Sequence, residues 1–259
     1  MKNNRFKQAL IEGRRPIGHM IWEFTTRGIA KIVEAADLDF VLLDMEHTAL
    51  DPAGVADLTA WFKATAIAPI VRVPQSLYHF IARSLDAGAL GVMCANVESA
   101  AQAREIVRAV KYAPMGNRGV GIGGAHNDYY PVDAAQYFHD SNENTSVICQ
   151  IESVRGLENC EEIAAVPGVD VLWVGHMDLS TSMGMPAQFD NPKFHDALDR
   201  VVAVARRHGK FTGIQPGTPE QAREWIGRGY RAISWSTDVG VYRAGLIKAI
   251  DDLRLHLPG

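Results

Sequence analysis

Eight short apolar runs recur along this chain, each separated from the next by a stretch with helical spacing, and that rhythm admits few folds. The runs cover positions 17–22, 40–43, 69–73, 90–93, 147–151, 171–174, 211–215 and 231–235. Several are apolar without polar alternation, the pattern of parallel strands covered on both faces. Between them, Val55, Leu58, Trp61, Phe62 and Thr65 share one helical face. So do Ala100, Ala103, Ile106, Val107 and Val110, and again Ala197, Leu198, Val201, Val202 and Ala205. Turn signals such as Asp51-Pro52, Pro167-Gly168 and His208-Gly209 fall between them. The repeat predicts an α/β chain closed as a (β/α)8 TIM barrel, and 259 residues is the size of one such barrel. A doubly wound open sheet fits less well, because no Gly-rich dinucleotide fingerprint follows the first strand. No linker or charge block divides the chain, so residues 1–259 are expected to form one domain.

One interval breaks the rhythm. Between Met93 and Val147 there is room for a helix, a polar Gly-rich loop at 116–128 and a short helix near 131–139. A long insertion after a barrel strand is expected on the active-site face or at a subunit contact. The last helix, about 239–255, carries Leu246, Ile250 and Leu253 on one face, to pack on its own barrel or on a neighbour's.

Composition excludes several partners. At 47% hydrophobic the chain can bury a large core, and a net charge of −4 with no Lys/Arg-rich run argues against nucleic acid. Cys94, Cys149 and Cys160 show neither a disulfide framework nor a CxxC zinc spacing. The N-terminal segment lacks an apolar signal core, and no stretch approaches 18 apolar residues. A cytoplasmic protein with no membrane partner is the expectation.

Barrels carry their chemistry where strands end. The second run ends in Asp44-Met45-Glu46-His47, the third contains Arg72, the fifth leads to Glu152, and Gly175-His176-Met177-Asp178 follows the sixth. Glu152 and Asp178 suit a hard divalent cation, which takes carboxylate oxygens and keeps sites for water and substrate. Each could instead cap the helix that follows it. Arg72, inside an apolar run, needs an anionic partner: a substrate oxygen, or a structural ion pair with Asp44 or Glu46. His47 follows an acidic strand end, and an imidazole is the side chain best suited to general-base work. Asp86 reads as an ordinary turn residue unless it orients His47. The other histidines, His195 and His208 among them, show no ligand spacing. The loop Gly119-Val120-Gly121-Ile122-Gly123-Gly124 would suit a phosphate cradle, yet no Lys-Ser/Thr follows it.

Taken in order, these motifs resemble one family. Leu42-Leu43-Asp44-Met45-Glu46-His47 is similar to the D-x-E-H signature of the HpcH/HpaI class II aldolases, which release pyruvate from 4-hydroxy-2-oxo acids. The resemblance continues through Val71-Arg72-Val73-Pro74, Leu85-Asp86-Ala87-Gly88-Ala89, Lys111-Tyr112-Ala113-Pro114 and Asn117-Arg118-Gly119. Gln150-Ile151-Glu152-Ser153, Gly168-Val169-Asp170 and Val174-Gly175-His176-Met177-Asp178-Leu179-Ser180 with Met183-Gly184 complete it. It implies a barrel of the phosphoenolpyruvate/pyruvate superfamily, with the final helix swapped between subunits and a homo-oligomeric trimer of dimers. It also implies a resident Mg2+, Mn2+ or Co2+ held by Glu152 and Asp178, with His47 as general base. Arg72 would steady the enolate and Asp86 would orient His47. Arg72, Gln150 and the stretch Gly175, His176 and Met177 would bind the substrate, a small 2-oxo acid with its aldehyde. Lys63, Lys111 and Lys210 fall on helices or their ends, which suits a metal mechanism over a Schiff base.

The chain departs from that family at two places. It has His176 where a proline is usual, and Cys94-Ala95-Asn96 where a Val-Pro pair is usual. Substrate choice is therefore open, and two alternatives stand beside the pyruvate aldolase. One is a malyl-CoA or citramalyl-CoA type lyase with its nucleotide on the loop from Arg118 to Gly124. The other is a barrel that binds an oxo acid without turnover.

Overall fold

In the computed structural model, which describes residues 1–257, each strand pairs in parallel with the next, and the last returns to the first. The strands are β1 (Ile17–Ile21), β2 (Phe40–Asp44), β3 (Ala68–Val73), β4 (Gly91–Cys94), β5 (Ser146–Ile151), β6 (Val171–Val174), β7 (Phe211–Ile214) and β8 (Ala232–Thr237). All eight predicted strands form, within two residues of the expected limits at either end. Closure sets Gly18 opposite Ser234, with a register shift before Met20 meets Thr237. The helices are α1 (Arg5–Ile11), α2 (Ile29–Glu34), α3 (Pro52–Phe62), α4 (Tyr78–Asp86), α5 (Ala100–Val110) and α6 (Ala134–Asn144). They continue with α7 (Val154–Glu158), α8 (Cys160–Ala164), α9 (His176–Ser182), α10 (Pro192–Arg207), α11 (Pro219–Arg228) and α12 (Asp238–Arg254). No helix among the described residues is long and apolar enough to cross a membrane.

Alternation along each strand divides the core in two. Val41, Leu43, Val71, Val92, Val147 and Leu172 face outward and pack with the helices. Phe40, Leu42, Ile70, Met93, Ile148 and Trp173 face inward and fill the barrel. Gly213 lies opposite Trp173 on the neighbouring strand, and a Cβ there would overlap the indole ring. The floor is closed by α1, whose Phe6 and Leu10 join the inner cluster, Phe6 meeting Phe40 edge-on at 4.7 Å. Asn4 locks this plug: its Nδ2 donates to Leu90 O and Asn144 O at 2.8 Å and to Ser146 Oγ at 3.0 Å.

The long interval between β4 and β5 differs from expectation. Its Gly-rich loop follows α5, and a helix in this fold runs back towards the strands' starting ends. Accordingly the Arg118 side chain meets Asp86 at the end of α4, and Lys63, at the end of α3, meets Asp128 at 2.6 Å. Between those ties Gly119 N–H donates to Tyr78 Oη, in the first turn of α4, at 2.7 Å, so the loop runs along the outer side of α4, and α6 reaches Asn144 rather than ending near 139. In α12, Val241, Tyr242, Leu246, Ile247, Ile250 and Leu253 are all exposed, and Asp238 is its one buried residue. Apart from Tyr242, which meets Phe24 edge-on at 5.4 Å, that apolar face is left open to solvent.

Candidate active site at the strand ends

Glu152 follows β5 directly and is pinned from two sides. Asn96 N–H, after β4, donates to its Oε1 at 2.5 Å, and the Gln150 side chain donates to its Oε2. Asn96 adopts a left-handed φ of +49°, which asparagine tolerates better than most residues and which aims its N–H at the carboxylate. Gly175, after β6, makes room: a Cβ there would come within 2.7 Å of the Glu152 Cβ and 2.9 Å of Gln150 Nε2. Helix α9 starts immediately, with Asp178 in its first turn and exposed.

Helix capping accounts for neither carboxylate. Ser153 is the N-cap of α7, accepting from Gly156 N–H, while α9 starts from Gly175 with no side-chain cap. Neither carboxylate is thus spent on a helix end. Burial pushes Glu152 up to about 7, against the pull of its Gln150 and Asn96 donors, and Glu46 and Asp178 push it the same way. Burial raises Glu46 too, in spite of Arg72 and His47, with Asp44 and Asp178 adding to the rise.

Arg72 finds both of the structural partners that its sequence position allowed. Asp44, fully buried, takes it in a fork, at 2.8 Å from Nε and 2.7 Å from Nη2, and Glu46 Oε2 stands 3.2 Å from Nη1. Burial alone would lower this guanidinium, but Asp44, Glu46 and Glu152 outweigh it and raise it. One cation thus stands among four carboxylates, Asp44, Glu46, Glu152 and Asp178. The surplus negative charge, with Gln150 Oε1 buried and unpartnered beside it, suits a divalent cation.

A cavity of about 220 Å3 opens on this cluster. Arg72, His47, Gln150 and the stretch from Val174 to Asp178 line it, together with Met20, Trp22, Met93, Trp173 and Gln215. Glu152 sits behind Gln150, whose amide covers its Oε2. His47 is half exposed, its Nε2 3.7 Å from Glu46 Oε2. His176 lines the cavity while its ring rests on Phe189 at 5.1 Å and Trp225 at 5.4 Å. Burial lowers it to about 4, Asp178 opposing, so it stands there as a neutral imidazole. Of the other departures, Asn96 serves through its backbone, and Cys94 points away into the outer core with its thiol raised by burial to about 12. No lysine lines the cavity; Lys111 is buried elsewhere, bonded to the carbonyls of Asn142 and Thr145.

Asp86 is not brought to His47. It ends α4, on the floor side, where Arg118 Nη2 donates to it at 2.6 Å. A residue that closes a helix just before a strand lies at the far end of the barrel from residues that follow strands. Sequence reasoning also set His195 aside. Its Nε2 stands 3.2 Å from Glu224 Oε1, and Asp190 completes a group whose ligand atoms lie within 4.8 Å of one another. Glu224 is already paired there with Arg228 at 2.9 Å, so that group lacks the carboxylate surplus found at the strand ends.

The comparisons with known proteins agree with this geometry. The sequence profile of the HpcH/HpaI aldolase/citrate lyase family matches residues 22–244. A 5-keto-4-deoxy-D-glucarate aldolase of Klebsiella pneumoniae is 33% identical over 249 residues, 96% of this chain and 96% of its own. The HpcH/HpaI aldolase of Desulfitobacterium hafniense superposes with a TM-score of 0.92 at 32% identity, over 98% of this chain and 97% of its own. The citrate synthase SbnG superposes at 0.86 with 26% identity, over 96% of this chain and 97% of its own.

Proposed function

The chain belongs to the HpcH/HpaI aldolase/citrate lyase family, and from that premise we propose that it is a divalent-metal-dependent aldolase cleaving a 4-hydroxy-2-oxo acid, reversibly, to pyruvate and an aldehyde. The observation that carries this reading is the surplus of carboxylates gathered about one guanidinium beside a cavity that Asp178 lines. Glu152 and Asp178 would hold Mg2+, Mn2+ or Co2+, with Glu46 adding negative charge. The bound ion supplies Lewis-acid polarisation of the 2-oxo group. Gln150 and the backbone of Gly175, His176 and Met177 line the place for the oxo-acid end.

His47 accepts the C4 hydroxyl proton. The C3–C4 bond then breaks, its electron pair passing to the enolate while C4 becomes the aldehyde carbonyl. Arg72, already oriented by Asp44, faces the oxygen on which that charge develops. Protonation at C3 completes pyruvate. His176, Trp22 and Gln215 lie on the wall left for the aldehyde, where this chain also departs from its family.

Asp86 can orient His47 only across a subunit boundary, where the floor of one barrel meets the rim of another. The exposed apolar face of α12 supports such a homo-oligomer, with the helix exchanged between copies and the trimer of dimers that the family resemblance implies. The reading as a CoA-ester lyase finds no groove within one chain, because the loop from Arg118 to Gly124 lines no part of the cavity; like Asp86, it could reach one only in a neighbouring copy.

Condensation of pyruvate with a panel of aldehydes, with Mn2+ and with EDTA, tests the proposal. Activity is expected to vanish with EDTA, to return with Mn2+, and to be absent from Asp178→Ala, which also fails to bind Mn2+. His47→Ala should slow aldol cleavage by roughly 10²–10⁴-fold, the usual worth of a general base. Turnover that survives both EDTA and Asp178→Ala would refute the metal role.

A further inference from the structure

On the side of the barrel away from the catalytic cavity, four cations meet without a counter-charge. Arg15, Arg206, Lys210 and Arg231 line one concavity of about 300 Å3, together with Val202, Ala205, Phe211, Thr212, Ile226 and Gly229. No acidic residue lines it. Among the described residues none of the four makes an ion pair. Their sequence neighbours do: Arg14 pairs with Glu12, Arg207 with Glu161 and Arg228 with Asp199. In a chain of net charge −4, unpaired positive charge of this density is a local feature and not a consequence of composition.

Helix ends explain only part of it. Basic groups are favourable near a helix C-terminus, which accounts for Arg206 in the last turn of α10. Arg15 comes from the loop before β1 and Arg231 from the start of β8, so three separate segments converge on one hollow. Arg231 holds two of those segments together, since its Nη2 donates to the carbonyls of Gly13 and Arg14 beside Arg15. The cations are therefore gathered by the fold and placed on an otherwise largely apolar lining.

We propose that Arg15, Arg206, Lys210 and Arg231 form a binding site for a small phosphorylated metabolite, on the face opposite the aldolase cavity. Three guanidinium forks and an ammonium offer more donors than the two oxygens of one carboxylate can accept, whereas a phosphate monoester presents three terminal oxygens to them. The volume limits the organic part to a few carbons, and Val202, Ala205, Phe211 and Ile226 give those carbons apolar contact.

Calorimetric titration of the full chain with glycerol 3-phosphate and with inorganic phosphate, at constant ionic strength and without aldolase substrates, tests this directly. One saturable site per chain is expected, with glycerol 3-phosphate binding more tightly than phosphate alone. The Arg206→Ala/Lys210→Ala variant removes two cations that make no hydrogen bond in the fold. It should weaken that binding by roughly 10-fold or more while leaving anion-free aldol cleavage unchanged. Because binding is read without turnover, failure of the aldolase reading would not affect the result. The proposal is overturned if neither probe saturates at millimolar concentration or if the variant binds as tightly as the wild type. It is equally overturned if inorganic phosphate binds as well as the ester, or if only long polyanions such as heparin bind.

Discussion

Glu152 and His176 oppose each other as pH changes, and the opposition is measurable. Glu152 stands at about 7 in the fold against 4.5 as a free side chain, so between those values the folded chain holds the extra proton. Its contribution to stability therefore falls as pH rises through that window and is flat above it. His176 stands at about 4 against 6.5, so between those values the unfolded chain holds the extra proton and stability rises with pH. In the metal-free protein the two slopes largely cancel. Glu152→Gln should remove one of them and leave stability rising between about pH 4 and pH 6.5. Urea denaturation of EDTA-treated wild type and variant across that range reads the difference, and parallel profiles would contradict it.

The same residues show what one-dimensional reading can reach. Placement within or just after the strand ends was enough to single out Glu152, Asp178, Arg72 and His47 as candidates. Whether the carboxylates were caps depended on which neighbour takes the helix N–H groups, and Ser153 takes one of them. That competition between adjacent acceptors is not written in residue type. Asp86 was different: its place at the end of a helix already fixed its end of the barrel, and its resemblance to an orienting residue obscured that.

Among elements, the strands were legible because parallel strands buried on both faces drop the polar alternation that would blur them. The Gly-rich loop was expected on the active-site face or at a subunit contact; it lines no part of its own cavity, because α5 carries the chain away from the rim before the loop begins. For α12 the apolar stripe was legible but not its partner, since a stripe shows what a helix buries and not against what. Its exposed Leu246 and Ile250 give a test of assembly. A Leu246→Glu/Ile250→Glu variant should keep its far-UV circular dichroism yet show a smaller mass by light scattering, because charges on a buried apolar seam cost several kcal/mol. An unchanged mass would remove α12 from the interface.

At the level of the whole molecule, closure follows from register. Each strand is held by two neighbours, so no edge is left unpaired. With inward side chains filling the barrel and Phe6, Leu10 and Asn4 of the N-terminal segment packed beneath them, the catalytic cavity is walled off from the floor. Such a sealed vessel has consequences for traffic. On the proposed reading, with the oxo-acid end held by the metal and the aldehyde towards the opening, the aldehyde is expected to leave before pyruvate. In steady-state cleavage assays pyruvate should then compete with the 4-hydroxy-2-oxo acid, and the aldehyde should inhibit without competing. Purely competitive inhibition by the aldehyde would mean a second way out. The filled barrel, with the helix packed beneath it, thus bears on the order of events at the rim by leaving the molecules there a single door.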